Sequence, residues 1–489
     1  MLPALQWMFT FILVSLCLLP SKTPMEHELR TERFDRDPGW EAINCRSESG
    51  KKRTVRQDFG YSATAHAGGQ LGEAGGLITP AAEPAYYAKQ LSPKTFRDTL
   101  SASGRINCQG RQFHVLLGFF NADTIKEWRT PNSISIRLQG RGDKFFAYVE
   151  YATSQWRAGG DSPGGFGTER DPATGRNQLR GFPLGESLNW SLRYDPQGNN
   201  GSGSITVTLG KETSVCHLSP GHQADGAVFN RFGLLNVMKS ADTGGEVWFD
   251  DITINGEKED FTRNPGWDER GNRQTYESTN VRPRFDFGYS PTHYAGGERA
   301  GELGGLVFRG DCRSAKKLAA YGDRLSTLSL DKPLQASGKV CLRRAVTDST
   351  VLFGFYHSKN SLEVNPSQSS GIPKSFLGVA IEGPSREGFL FYPMYRYQGD
   401  EQGYAKGIVQ PRINPDGQAH SWSLHYEPGG AAGKSHVVVK LDDKSVSLEM
   451  NLTQQAKETQ FDRFGLITTW IDGNGQHVYF DDLVYTIKQ

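Results

Sequence analysis

The chain has 489 residues, and 57 of them are glycine, well above the roughly 7% of an average protein. Glycine serves turns and bulges better than helix interiors, so the composition predicts a turn-rich β protein. Lys and Arg number 55 against 54 Asp and Glu, so the strong positive charge that favours sequence-independent nucleic-acid binding is absent. The 27 Phe, 18 Tyr and 9 Trp exclude general disorder, and the length suits two domains.

The first residues differ from the rest of the chain. Leu5 to Leu19 form a mainly apolar run of 15 residues, which is too short to cross a bilayer easily but has the length of a secretory signal core. We predict that residues 1–24 are a signal peptide and that the protein is secreted or lies at the cell surface. A retained N-terminal anchor is the alternative, because no basic residue precedes the run and no clear cleavage site follows it.

Five cysteines follow this leader, and an odd number leaves at least one without an intramolecular partner. Their spacing does not determine a pairing, and buried thiols are the alternative to disulfides. No zinc-binding spacing is present. The five are Cys45, Cys108, Cys216, Cys312 and Cys341.

The chain contains the same pattern twice. Phe34–Glu41 (FDRDPGWE) returns as Phe261–Asp268 (FTRNPGWD), and Asp58–Ser62 returns unchanged as Asp286–Ser290. Each copy also closes alike, on a hydrophobic-aromatic-Phe-Asp-Asp segment. A period near 230 residues exceeds any solenoid or propeller unit, so we predict two homologous domains, residues 30–256 and residues 257–489.

Short alternating segments recur within each copy. Ser133–Gln139, Ser204–Leu209 and His436–Leu441 alternate with period two, which predicts strands. No capped helical pattern of ten residues or more follows the leader. The fold class we predict is all-β: two tandem antiparallel β-sandwiches of the jelly-roll kind.

This combination resembles a known superfamily. The F-x-x-D/N-P-G-W opening, the W-S-L-x-Y segment (Trp190–Tyr194 and Trp422–Tyr426) and the closing F-D-D strand are similar to concanavalin A-like, laminin G-like lectin and glucanase sandwiches. The resemblance implies two tandem copies of a two-sheet sandwich. It does not choose among lectins, binding modules, hydrolases, lyases and adhesion domains, because fold alone does not determine function.

Two kinds of acidic residue are candidate ligand contacts. Glu73 and Glu302 stand in the repeated glycine-rich segment, where they could accept hydrogen bonds from sugar hydroxyls or ligate a cation. Asp250 and Asp481 follow a buried Phe on the closing strand, and we predict them as ligands of a structural calcium ion. Structural turns and a solvent-facing Asp are the respective alternatives.

Sugar recognition needs flat aromatic faces beside polar groups. Tyr148, Glu150 and Trp156 offer these in the first copy, and Tyr392 and Arg396 occupy the corresponding region of the second. Core packing of these aromatics is the alternative.

We therefore predict an exported, non-catalytic protein that binds a polysaccharide or other glycan through two lectin-like domains, with no nucleic-acid partner and no membrane contact beyond a possible N-terminal anchor. A secreted hydrolase or lyase with one active copy is the first alternative, although the Glu-x-Asp-x-x-Glu strand of many glucanases is absent. A structural or adhesion protein that binds another protein through a flat sheet is the second.

Overall fold

The computed structural model describes residues 28–47, 52–161, 165–405, 410–429 and 434–488. The predicted leader, residues 1–24, lies outside this range. Strands account for 55% of the chain and helices for 5%, which confirms the all-β class. In the described residues, no helix is long and apolar enough to span a bilayer.

The strands divide between two sandwiches. In chain order, they are β1 (Glu28–Glu32), β2 (Glu41–Ile43), β3 (Arg53–Ser62), β4 (Glu73–Ile78), β5 (Tyr86–Thr95), β6 (Leu100–Gln109), β7 (Gln112–Phe120), β8 (Ser133–Arg141), β9 (Lys144–Ala152), β10 (Ala158–Gly160), β11 (Thr168–Arg170), β12 (Asn177–Leu179), β13 (Phe182–Pro183), β14 (Ser187–Asp195), β15 (Ser204–Leu209), β16 (Glu212–His217), β17 (Val228–Asn236), β18 (Gly245–Ile254), β19 (Glu257–Lys258), β20 (Asp268–Arg270) and β21 (Arg273–Ser278). They continue with β22 (Phe285–Ser290), β23 (Glu302–Phe308), β24 (Ala320–Ser329), β25 (Leu334–Ala345), β26 (Ser349–Tyr356), β27 (Phe376–Ser385), β28 (Gly388–Arg396), β29 (Gln402–Tyr404), β30 (Ala419–Glu427), β31 (Lys434–Leu441), β32 (Lys444–Asn451), β33 (Gln460–Ile467) and β34 (Gly475–Lys488).

Helical segments are short and lie in the connections. They are α1 (Gly198–Gly201), which contains two left-handed asparagines, α2 (His222–Asp225) and α3 (Gln454–Glu458), with 3-10 turns at Ala122–Thr124, Ala315–Lys317 and Asn360–Leu362. None of them forms a packing layer.

Each sandwich consists of two antiparallel sheets. In the first sandwich, one sheet has the order β16-β15-β14-β6-β18-β4-β3-β21 and the other β10-β9-β8-β7-β17-β5-β20. In the second sandwich, the corresponding sheets are β22-β23-β34-β25-β30-β31-β32 and β2-β24-β33-β26-β27-β28-β29. A separate apolar core lies between the sheets of each. The two-sheet architecture implied by the resemblance is therefore confirmed by strand pairing.

The two copies exchange their opening segments. Phe34 and Trp40 belong to the core of the second sandwich, where β1 pairs with β34 and β2 with β24. Reciprocally, Phe261 and Trp267 belong to the core of the first sandwich, where β20 pairs with β5 and β21 with β3. The first packing unit thus spans residues 53–278, and the second joins residues 28–46 to residues 285–488. The boundaries of the sequence repeats therefore differ from those of the packing units, because each opening segment packs in the sandwich formed by the other copy.

All five described cysteines are free thiols with buried side chains. Burial raises the pKa of the Cys216 thiol to about 12, so this sulfur stays protonated and packs as a small apolar group.

Candidate functional site

The outer face of the first sandwich carries the predicted aromatic Tyr148. Along β9, Ala147 and Val149 point into the core, so Phe146 and Tyr148 point away from it and are half-buried. Neighbouring β8 places Arg137 directly opposite Tyr148. The alternation of this strand pair therefore sets an aromatic and a basic residue side by side on the outer surface.

A cavity of about 540 Å³ opens over this face. Phe146 and Tyr148 contribute aromatic surface, and the β11–β12 hairpin supplies the opposite wall through Asp171 and Gln178. Charged groups stand at the β8–β9 turn, namely Arg141, Asp143 and Lys144. The cavity thus combines aromatic surface with donors and acceptors of hydrogen bonds, as a saccharide site requires.

Arg137, Glu150 and Trp128 form a hydrogen-bonded network that contacts one face of the Tyr148 ring. The Arg137 guanidinium lies 4.0 Å from the Tyr148 ring centroid, and its Nε donates to Glu150 Oε1 at 2.7 Å. Trp128 Nε1 donates to Glu150 Oε2 at 3.0 Å. Burial alone would raise the pKa of the Glu150 carboxyl, but the charges of Arg137 and Arg129 outweigh it and lower that pKa. Glu150 therefore stays ionised and positions Arg137 under one face of the ring, while the predicted role in direct ligand contact does not suit its 5% exposure.

Sequence reasoning missed Arg137, Trp128 and His114 at this face. Arg137 stands inside the alternating segment Ser133–Gln139, and a charged residue in such a strand was the available signal. Burial and the charges of Lys239 and Arg137 lower the pKa of His114 to about 3, so its imidazole is neutral near pH 7.

Among the described residues, the second sandwich does not repeat this arrangement. The registers β8–β9 and β27–β28 make Tyr392 the counterpart of Tyr148, Ala380 the counterpart of Arg137, and Met394 the counterpart of Glu150. Ala380, Tyr392 and Met394 pack in an apolar cluster on the outer face. The Tyr392 hydroxyl donates to Glu382, and only 4% of its surface is exposed. The two copies therefore share a fold but not a polar outer face.

Arg396 is committed to holding loops. Its side chain is 3% exposed, its Nη1 donates to the Ile372 carbonyl at 3.0 Å, and its Nε donates to the Gly399 carbonyl at 3.0 Å. Nη2 pairs with Asp400. Each of the three guanidinium nitrogens thus holds a loop, and the 3% exposure of the side chain leaves little of Arg396 open to a ligand.

Glu73 and Glu302 close the glycine-rich loops. Glu73 accepts from the backbone N–H groups of His66 and Ala67, both at 2.7 Å. Glu302 does the same for Tyr294 and Ala295 at 2.9 and 2.7 Å. Both carboxylates are 0% exposed, so they hold the loop rather than face a ligand.

Asp250 and Asp481 lie beneath the same loops on a β-bulge. Asp251 and Asp482, which follow them, have φ of 54° and 47°, a left-handed conformation that shifts the register. A Cβ on Gly68 would come within 1.7 Å of Asp250 Oδ2, so a larger residue there would force the Asp250 side chain to move. Close packing over the aspartates therefore accounts for Gly68 and for Gly297 of the second copy, where a Cβ would come within 2.0 Å of Asp481 Oδ2.

The surroundings of the predicted calcium ligand Asp481 offer few free oxygens. Calcium takes about six to eight oxygens, whereas the nearby Glu302 oxygens are already bound to backbone N–H groups. Asp481 Oδ2 is buried without a partner, and burial together with Asp482 and Glu302 raises the Asp481 pKa to about 7. No group of three or more His, Cys, Asp or Glu in the described part of the chain could hold a metal ion. Without a bound cation, the Asp481 carboxyl therefore holds its proton up to about pH 7.

Trp156 lies between the two sandwiches. It belongs to the first copy, yet its half-buried indole packs against the core of the second. The Lys126 ammonium lies 5.6 Å from its ring centroid. Trp156 therefore contributes to the interface and lies outside the Tyr148 cavity.

Comparisons with known proteins find similarity in structure only. No family model and no curated protein matches the chain. Among solved structures, mouse laminin α1 domains LG4-5 match at 12% identity over 82% of this chain and 90% of that one, with a TM-score of 0.22. Peanut lectin matches at 11% identity over 41% and 89%, with a TM-score of 0.26. An exolytic PL7 alginate lyase from Zobellia galactanivorans matches at 12% identity over 42% and 76%, with a TM-score of 0.23. At these values the matches carry no argument about activity.

Proposed function

We propose that this is an exported, non-catalytic carbohydrate-binding protein whose first sandwich binds a saccharide in the Tyr148 cavity. The observation that carries the proposal is the cavity itself, which has a volume of about 540 Å³ and is lined by the half-buried Tyr148 ring, backed by Arg137, and by polar side chains. One ring face is occupied by the guanidinium, so the other is available to stack on the C–H face of a pyranose. Export is proposed from the leader.

Binding suits the cavity better than hydrolysis. A glycoside hydrolase needs a general acid whose pKa is raised towards neutrality. Asp171, which lines the cavity, has a lowered pKa, because its carboxylate accepts hydrogen bonds from the backbone of Ala173 and from Thr174. Glu150 is held ionised by Arg137. Neither carboxyl is prepared to protonate a leaving group.

Two lectin-like sites of equal kind are not part of the proposal. Tyr392 and Arg396 are buried, and Tyr392 packs with Ala380 and Met394 in an apolar cluster. The second copy instead contributes its opening segment, with Phe261 and Trp267, to the core of the first sandwich. The second sandwich also forms an interface with the first. A structural calcium ion, with Asp250 and Asp481 as ligands, is a further part of the proposal.

Screening the full chain on a panel of polysaccharides, followed by titration calorimetry, tests this function. Tyr148→Ala is expected to weaken binding at least tenfold, about 1.4 kcal/mol, by removing the stacking surface. Tyr404→Ala, which removes an exposed tyrosine of the second sandwich, is the matched control and is expected to bind like the wild type. Equal binding by wild type and Tyr148→Ala would contradict the proposal.

A further inference from the structure

A second cavity lies between the two sandwiches and is basic. Its volume is about 420 Å³, and Ile125 and Lys126 of the first sandwich face Arg343, Arg344 and His477 of the second across it. Arg270, on the exchanged strand β20, also lines it. Four cationic side chains therefore converge on one opening, and no Asp or Glu is among its lining residues.

The four cations, Lys126, Arg270, Arg343 and Arg344, make no salt bridge with a carboxylate in the part of the chain that the structure describes. Arg344 Nη2 donates to the Ala82 carbonyl at 2.6 Å and its Nε to the Lys126 carbonyl at 3.1 Å, so it bridges the sandwiches through neutral partners. The Arg343 guanidinium lies 3.9 Å from the Tyr294 ring centroid. These charges are held in place without a carboxylate counterion.

Two carboxylates, Glu83 and Glu127, act on Arg344 from outside the cavity lining. Glu127 is fully buried and accepts from the Thr347 N–H and hydroxyl at 3.2 and 3.3 Å. Glu83 accepts from the Tyr276 hydroxyl at 2.8 Å. Burial and the charges of Arg344 and Arg343 lower the pKa of His477 to about 4, as expected where the local potential is positive. His477 is neutral near pH 7 and offers a hydrogen bond rather than a charge.

We propose that this inter-sandwich cavity binds an oxyanion group, a sulfate or carboxylate carried by an acidic oligosaccharide. A guanidinium group can donate a pair of hydrogen bonds to the oxygens of a planar carboxylate or a tetrahedral sulfate. These hydrogen bonds become stronger where water is partly excluded. The cavity is large enough for one charged sugar residue. It shares no lining residue with the Tyr148 cavity, so this inference does not rest on the proposed function of that site.

The test uses the full chain and three fluorescent probes of matched length: an oligogalacturonate, a dextran sulfate oligosaccharide and uncharged dextran. At least one acidic probe is expected to bind, more weakly as salt rises because the charges are screened, and dextran is not expected to bind at this cavity. Galacturonate binding identifies carboxylates as the ligand, and dextran sulfate binding identifies sulfates.

The decisive variant is Arg270→Gln/Arg343→Gln, which removes two charges from the rim of the cavity. It is expected to weaken binding of the acidic probe at least tenfold. The control variant Arg36→Gln/Arg97→Gln removes two exposed arginines that do not line this cavity. It is expected to change the affinity for the acidic probe less than twofold. Lys126→Gln provides an independent variant on the other wall if the first proves unstable. Failure of both acidic probes to bind, or binding by the folded rim variants within twofold of the wild type, would overturn the proposal. Tyr148→Ala is expected to leave this binding unchanged, which separates the two sites.

Discussion

The indole of Trp267 stacks on the ring of Tyr87, with 5.4 Å between centroids and 26° between planes. Trp267 opens the second copy of the repeat, yet Tyr87 belongs to the first sandwich. The pair has a counterpart in Trp40 and Tyr321, at 5.8 Å and 31°, where a residue of the first copy packs on the second sandwich. Each copy therefore completes the core of the other.

The exchange of opening segments predicts which fragments of the chain fold stably. A fragment of residues 52–280 retains Phe261 and Trp267 and is expected to unfold cooperatively. A fragment of residues 30–256 loses both, and deleting each large buried aromatic costs about 3–5 kcal/mol, so together they approach the whole stability of a domain. Circular dichroism melts of the two fragments provide the measurement. Equal melting temperatures would show that the opening segment is dispensable.

Single substitutions at the exchanged tryptophans test the same feature in the intact chain. Trp40→Ala is expected to destabilise the second sandwich by about 3–5 kcal/mol, although Trp40 lies in the first copy. Hydrogen exchange should therefore accelerate in the strands between residues 285 and 488. Trp267→Ala is the reciprocal control, with acceleration expected between residues 53 and 254. Acceleration confined to the substituted residue's own copy would contradict the exchange.

The raised pKa of Asp481 predicts a pH dependence of stability. Its pKa is about 7 in the folded chain and about 3.9 when unfolded, so the folded state binds the extra proton. The stabilisation is complete below about pH 4 and is lost as pH rises through 7. Asp481→Asn is expected to raise stability at pH 8 by on the order of 2 kcal/mol and to change it little at pH 4. Asp443→Asn, at an exposed position, serves as the control in urea titrations at both pH values.

The effect of calcium on the melting temperature distinguishes a protonated Asp481 from a calcium-bound one. If Asp481 is protonated rather than metal-bound, adding calcium or a chelator should leave the melting temperature of the wild type unchanged. A calcium-dependent rise that Asp481→Asn abolishes would instead establish the calcium site predicted from the sequence.

Burial of the cysteine side chains predicts that they react slowly with thiol reagents. Cys45, Cys108, Cys216, Cys312 and Cys341 are free and buried, and burial raises the pKa of Cys341 to about 12. We expect none of the five to react with a thiol reagent within minutes in the native chain, and all five to react in denaturant. Stoichiometric reaction of the native chain would contradict their burial.

Much of the architecture follows from periodicity. The alternating segments at residues 133, 204 and 436 are confirmed as parts of β8, β15 and β31. The sequence also places Tyr392 in the region that corresponds to Tyr148, and strand register pairs the two positions. These features are local, because alternation and turn residues determine strands without reference to distant contacts.

Features that depend on distant packing could not be predicted in this way. The repeat shows that two openings are equivalent but not on which sandwich each one packs. Strand alternation also gives no sign that Asp251 and Asp482 adopt a left-handed conformation, because the bulge depends on the neighbouring strand. The difference between the two outer faces depends on Arg137 against Ala380 and Glu150 against Met394, which no repeat-level pattern predicts.

Hydrogen exchange of the full chain with and without a bound saccharide tests the central claim most directly. The account predicts protection at the two segments that line the Tyr148 cavity, residues 141–148 and 171–179, with no change at residues 388–396 of the second sandwich. Protection centred on residues 388–396, with none around Tyr148, would contradict it.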